Sequence, residues 1–189
     1  LVFKKIIFKI LFSFFLSADS YSEESFISLE KLKNHDMDKV IFLRHALAPG
    51  NGDPPNFNLN DCSTQRNLDL VGISQSRMLG NTFKNLGIKF SKIYSSFWCR
   101  CKDTALNMKI GEFETHEGLN SFYEKHAYKK LTLMKLNNLV NSFDKSGGPY
   151  LLVTHYVNIF AFTGLSTSSG GMVAFDLNSQ KSIHIKFNN

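Results

Sequence analysis

Two short apolar runs, each ending in histidine, constrain this chain most. KVIFLRH spans 39–45 and PYLLVTH spans 149–155. Such near-continuous apolar runs suit strands buried on both faces of a parallel sheet. Between and after them the periodicity alternates. Asp69 can cap a helix running to about Leu86, with Ile73, Leu79, Phe83 and Leu86 facing inward. SKIYSS (91–96) reads as a second strand, 98–108 as a short helix and GEFETHE as a third, weak strand. Residues 119–145 read as a longer helix with Leu136, Leu139, Val140 and Phe143 on one face. MVAFDL and SIHIKF read as two closing strands joined through the Asn178–Ser179 turn. The expected fold class is α/β, a three-layer sandwich with a mostly parallel central sheet and an antiparallel edge strand from the closing hairpin. Residues 46–67, with Pro49, Gly50, Gly52, Pro54 and Pro55, read as a long loop of the kind that carries function.

The first twenty residues have a different character. Lys4 and Lys5 precede an apolar run from Ile6 to Leu16, and Ser17, Ala18 and Ser20 follow. These are the three parts of a secretory signal, and the run is about half the roughly 20 residues a membrane span needs. The expected organisation is a signal peptide at 1–20, a flexible lead-in at 21–37 and one domain at 38–189. The mature protein would be periplasmic or secreted, with no stable membrane span after processing. Loss of Lys4, Lys5, Lys9 and Asp19 takes the formal charge from +6 to +4, or 19 basic against 15 acidic groups. That surplus suits an anionic ligand but is too scattered for a nucleic-acid partner. In an oxidising compartment the three cysteines allow one disulfide. Cys99 and Cys101 are too close in sequence to pair easily, so Cys62 is expected to bridge one of the two. No CxxC or paired-histidine cluster argues for zinc.

Strand ends carry the chemistry. Arg44 and His45 end the first strand, Ser95 and Ser96 the second, and His155 the run PYLLVTH, while Arg100 follows one turn into the helix after Ser96. Ligands of such sheets bind beyond the carboxyl ends of the strands. Two imidazoles and two guanidiniums can therefore converge on one pocket. Guanidinium forks match phosphate oxygens, and a neutral imidazole is a competent nucleophile toward phosphorus. The set suits phosphoryl transfer with arginine supplying the positive charge, so neither metal nor cofactor is required. GxGxxG, GxxxxGK[ST] and GxSxG are absent, which removes the simplest dinucleotide, P-loop and serine-hydrolase readings.

FLRHA, SSFWCRCKDTA and LLVTHYVNI, in that order, resemble the histidine phosphatase superfamily with its phosphoglycerate-mutase-like fold, over nearly all of residues 38–178. APGNGDPPNF, DCSTQRNL and LNSF resemble a small exported bacterial branch. The resemblance implies that His45 becomes phosphorylated, that Arg44 and Arg100 hold phosphoryl oxygens, and that His155 donates to the transferred group. Arg66 would be an additional substrate contact. Where many members carry a glutamate in the segment matching LNSFYE, this chain has Ser121 after the Leu-Asn pair. Glu117, Glu124 and Asp53 are therefore the candidates for the general acid that an alkoxide leaving group needs. Relatives in this branch often read Gly-Glu where this chain has Gly170-Gly171. The implied function is an exported phosphatase acting on a small-molecule phosphomonoester, such as a sugar or envelope-glycan phosphate. The alternative is a weak or inactive anion-binding member of the same fold.

Overall fold

A computed structural model describes residues 26–33 and 39–187. The segment read as a signal peptide lies outside the described residues. The strands are β1 (Phe26–Ser28), β2 (Lys39–Arg44), β3 (Lys92–Ser95), β4 (Glu114–Thr115), β5 (Tyr150–Thr154), β6 (Met172–Asp176) and β7 (Ser182–Lys186). The α-helices are α1 (Leu70–Asn85), α2 (Cys99–Met108), α3 (Lys129–Asn141) and α4 (Tyr156–Thr163). One sheet joins the strands in the order β1-β7-β6-β2-β5-β3-β4.

Strand alternation separates two cores. Ile41 and Leu43 of β2, Leu151 and Val153 of β5, and Met172 and Ala174 of β6 pack under α1 and α2 with Leu79, Phe83, Ala105 and Met108. Their neighbours Val40, Phe42, Tyr150, Leu152, Val173 and Phe175 face α3 and α4 with Leu136, Leu139, Val140 and Ile159. Period-2 alternation within runs that look uniformly apolar thus produces the three layers. Asp69 caps α1 by accepting from the Gly72 amide at 2.7 Å, and the helix ends before Gly87, whose φ is +69°.

The antiparallel strand is not at the edge. β6 runs antiparallel to β2 and to β7, but β1 pairs in parallel with β7 and covers it. β1 itself comes from the segment read as a lead-in. A three-residue strand of mixed burial carries too little periodicity to be seen in sequence. The long helix expected over 119–145 is only α3. Before it, Glu117–Leu119 and Tyr123–Lys125 are 3-10 turns. Glu124 and Lys125 adopt left-handed φ of 52° and 65°, which an α-helix cannot continue through. Tyr156–Thr163 forms α4, a helix the apolar stretch after His155 did not distinguish from loop.

Candidate active site

β2, β3 and β5 are mutually parallel, so their carboxyl ends open on one edge. The ladder continues one residue past each strand. The His45 amide donates to the Thr154 carbonyl at 2.9 Å, and the Ser96 amide to that of Val153 at 3.0 Å. Because β6 is antiparallel, its start lies at the same edge, where the Arg44 amide donates to the Gly171 carbonyl at 3.1 Å. Residues far apart in sequence therefore meet: the His45 and His155 rings are 5.4 Å apart, edge to face, each side chain belonging to a residue only 2% exposed.

His45 has a fixed tautomer. Its Nδ1 lies 2.7 Å from the Ala46 carbonyl oxygen, which can only accept, so the proton is on Nδ1 and Nε2 keeps the lone pair. Burial, and then the charge of Arg100, pull its pKa down to about 3, so the ring is neutral at ordinary pH. His155 is likewise held well below its ordinary value by burial and then by Arg100. Its Nε2 lies 3.0 Å from Ser96 Oγ and 3.5 Å from Cys101 Sγ, which leaves Nδ1 for a ligand. Asn120 takes the Ser96 hydroxyl and the Phe97 amide on its Oδ1, at 3.2 and 3.0 Å.

The cations are anchored by only part of each guanidinium. Arg44 donates from Nη1 to the Thr167 carbonyl at 3.0 Å and stacks 5.2 Å over the Tyr156 ring. Arg100 gives Nη1 and Nη2 to the two oxygens of Asp53, at 2.7 and 3.2 Å. In both arginines Nε is buried without a partner. Arg66 donates from Nε to the Gly52 carbonyl at 2.8 Å and from Nη1 to that of Ala48. It stands beside the cluster as a brace for the 46–67 loop.

The three acid candidates separate in space. Asp53 is buried against Arg100, with side chains 2% and 4% exposed, and accepts also from the Arg66 amide and Trp98 Nε1, each at 3.0 Å. Burial pushes its carboxyl up, but Arg100 and these hydrogen bonds outweigh it and leave the pKa below the ordinary value. An ionised carboxylate in that setting holds no proton to give. Glu117 turns outward to Lys135, whose ammonium holds its carboxyl below the usual range. Glu124 is half exposed and lies against the 46–67 loop: its carboxylate stands 2.6 Å from where a Cβ on Gly52 would be and 3.7 Å from His126 Nε2. The disulfide is Cys62–Cys99, with Cα atoms 5.7 Å apart. Cys101, two residues on along α2, points the opposite way into the core, where burial pushes its thiol up to about 12. Sequence reasoning did not single out Trp98, Asn120, Tyr156 or Thr104, whose hydroxyl receives the Ala46 amide at 3.0 Å. The contacts that tie them to the site, such as Trp98 to Asp53, Asn120 to Ser96 and Thr104 to Ala46, are long-range and leave no local pattern.

No protein-family model matches the chain and no curated protein matches it. Solved structures do. The protein histidine phosphatase SixA complexed with tungstate aligns at TM-score 0.53 and 16% identity, covering 77% of this chain and 93% of that one. The mycobacterial glucosyl-3-phosphoglycerate phosphatase with inorganic phosphate aligns at 0.53 and 12%, covering 80% and 97%. A mutant phosphoserine phosphatase from Entamoeba histolytica, in complex with phosphoserine, aligns at 0.51 and 17%, covering 80% and 96%. At such identities the similarity is one of architecture, extending over nearly the full length of each of these proteins. The fold of this chain, with its histidines at the strand ends, is that of the histidine phosphatases.

Proposed function

We infer that the protein is a phosphomonoesterase that works through a phosphohistidine on His45. The observation that carries this reading is the pair of buried, unpartnered Nε donors of Arg44 and Arg100 beside the free Nε2 lone pair of His45. Asp53 occupies the Nη1–Nη2 edge of Arg100 and so leaves the edge bearing Nε to an oxyanion. A phosphoryl group there is held by both guanidiniums beside the Nε2 lone pair of His45; His155, whose Nε2 proton goes to Ser96 Oγ, adds a donor once Nδ1 takes up a proton. His45 Nε2 forms a bond to phosphorus as the ester P–O bond breaks, and the departing alkoxide takes a proton from Glu124. Water then attacks phosphorus and gives a proton back to the Glu124 carboxylate. The P–N bond breaks, inorganic phosphate leaves and His45 returns to its neutral tautomer.

Glu124 is favoured over Glu117 and Asp53 because those two carboxylates are held by the permanent cations Lys135 and Arg100, whereas Glu124, beside Gly52 of the 46–67 loop, meets His126 at 3.7 Å. The disulfide supports placement in an oxidising compartment, periplasmic or secreted, consistent with the signal-like first twenty residues. A second reading, an anion binder with little turnover, draws on Asp53, which already neutralises much of Arg100. Rapid quench with labelled aryl phosphate separates the two. The enzyme forms an acid-labile phosphoenzyme, loses it with turnover in His45→Ala, and is inhibited by orthovanadate. Binding of phosphate without phosphoenzyme makes the protein a binder, and full turnover in His45→Ala removes the mechanism.

A further inference from the structure

Arg44 faces two ways. One side of it meets the His45 site; the other closes the end of a cavity of about 750 Å³ between α1 and the 168–169 segment. That cavity is walled by Leu47, Leu70, Val71 and Met78. Leu70, Val71 and Met78 are 84%, 61% and 62% exposed, an unusual cluster of large apolar side chains on the outer surface of α1. Its inner wall is built rather than accidental. Gln75 accepts from the Leu47 amide at 2.9 Å and donates to the Ser169 carbonyl at 2.9 Å, stitching the two sides together. Gln75 and Met78 also line a second cavity of about 650 Å³ that runs on past Met172 and Ile185 to Phe187. The two share Gln75, Met78, Ser168 and Ser169 and form one largely apolar trough with Arg44 at one end and His184 and Lys186 at the other.

We propose that this trough holds the hydrocarbon chain of the substrate, so that the preferred phosphomonoester is a single-chain alkyl phosphate with its head on Arg44. The inference rests on the phosphatase reading for the head group alone. Charge complementarity at Arg44, and the unpartnered Nε of that same residue, seat the anionic end; the trough supplies length and apolar walls for the tail.

The test measures binding apart from turnover. Calorimetry on the full chain compares ethylphosphonate with octylphosphonate below its micelle concentration. Partial burial of six further methylenes gives at least about tenfold tighter binding of the octyl compound. Val71→Ser/Met78→Ser brings that ratio toward one, with circular dichroism and the urea midpoint verifying that the variant is folded. Equal affinities for the two phosphonates in the unmodified protein overturn the proposal. So does a second copy of the chain filling the trough, seen as a concentration-dependent dimer with no gain for octyl. A chain-length gain that persists in the double variant places the tail elsewhere and also overturns it. Hydrolysis of ethyl and octyl phosphate is followed in parallel: no turnover of either sinks the enzymatic reading, while the phosphonate ratio still decides the trough.

Discussion

At the scale of single residues the site depends on how each arginine is divided between scaffold and ligand. Asp53 is the clearest case. Its carboxylate fixes the Arg100 fork, tied in turn by Trp98 Nε1 and the Arg66 amide. Asp53→Asn keeps the shape but leaves a buried guanidinium uncompensated, which costs about 3 kcal/mol or more. Urea unfolding of the variant reads this as a lower midpoint with an unchanged slope. Inorganic phosphate should recover more of the lost stability in the variant than it adds to the unmodified protein, because there it supplies the only counter-charge to Arg100. An equal response to phosphate in the two proteins would mean that the anion does not reach Arg100. Asp53 illustrates the limit of reading residues singly: its sequence neighbourhood of Gly and Pro marks a loop, and nothing local marks an arginine 47 residues away.

At the scale of elements two close approaches hold the frame. α1 meets α2 through glycine: a Cβ added at Gly80 would run into the Met108 carbonyl, a backbone atom that cannot rotate away. Gly80→Ala should therefore cost roughly 1–3 kcal/mol by overpacking, despite the better helix propensity of alanine. Gly87 makes the contrast, since it has open space around it and only a φ of +69° to lose. Gly87→Ala should cost about 1 kcal/mol. Thermal or urea unfolding ranks the pair, and Gly87→Ala proving the more damaging would mean that α1 can slide off α2. The second constraint is Cys62–Cys99, with a sequence separation of 37, which ties the 46–67 loop to the first residue of α2. Chain-entropy arithmetic puts its contribution at about 4 kcal/mol. The difference in unfolding free energy between the oxidised protein and Cys62→Ser/Cys99→Ser checks it, and a difference below about 1 kcal/mol would mean that the loop is held by Gln65, Arg66 and Asp53 alone.

At the scale of the molecule, burying two neutral imidazoles sets the acid limit. His45 titrates near 3 in the folded protein against 6.5 when exposed, so between those values the unfolded chain binds the extra proton. Stability from this group is complete above about pH 6.5 and falls as the pH drops toward 3. At pH 5 the loss from His45 alone is about 2 kcal/mol relative to pH 7.5. His155, displaced in the same direction, adds to it. Urea midpoints at the two pH values should lie closer together in His45→Gln, with the His155 share remaining, and an unchanged pH dependence in that variant would assign the acid sensitivity elsewhere. Much of this architecture is legible in the chain itself: the strands ending in Arg44-His45 and His155, the loop over 46–67 and the helix begun by Asp69 follow from local periodicity, capping, the stiffness of proline and the freedom of glycine. Local rules also place β2, β3 and β5 in parallel, which by geometry alone brings their ends together. What they cannot reach is any choice that depends on which surfaces meet. Tertiary structure selected Cys99 over Cys101 because only one faces Cys62, assigned Asp53 to Arg100, broke 119–145 into turns and a shorter α3, set β6 between β2 and β7, and covered the β7 edge with β1. The reason is physical: a backbone preference acts over a few residues, whereas burial of a charge, a thiol or a strand edge is decided by partners that only the folded chain brings within a few ångströms.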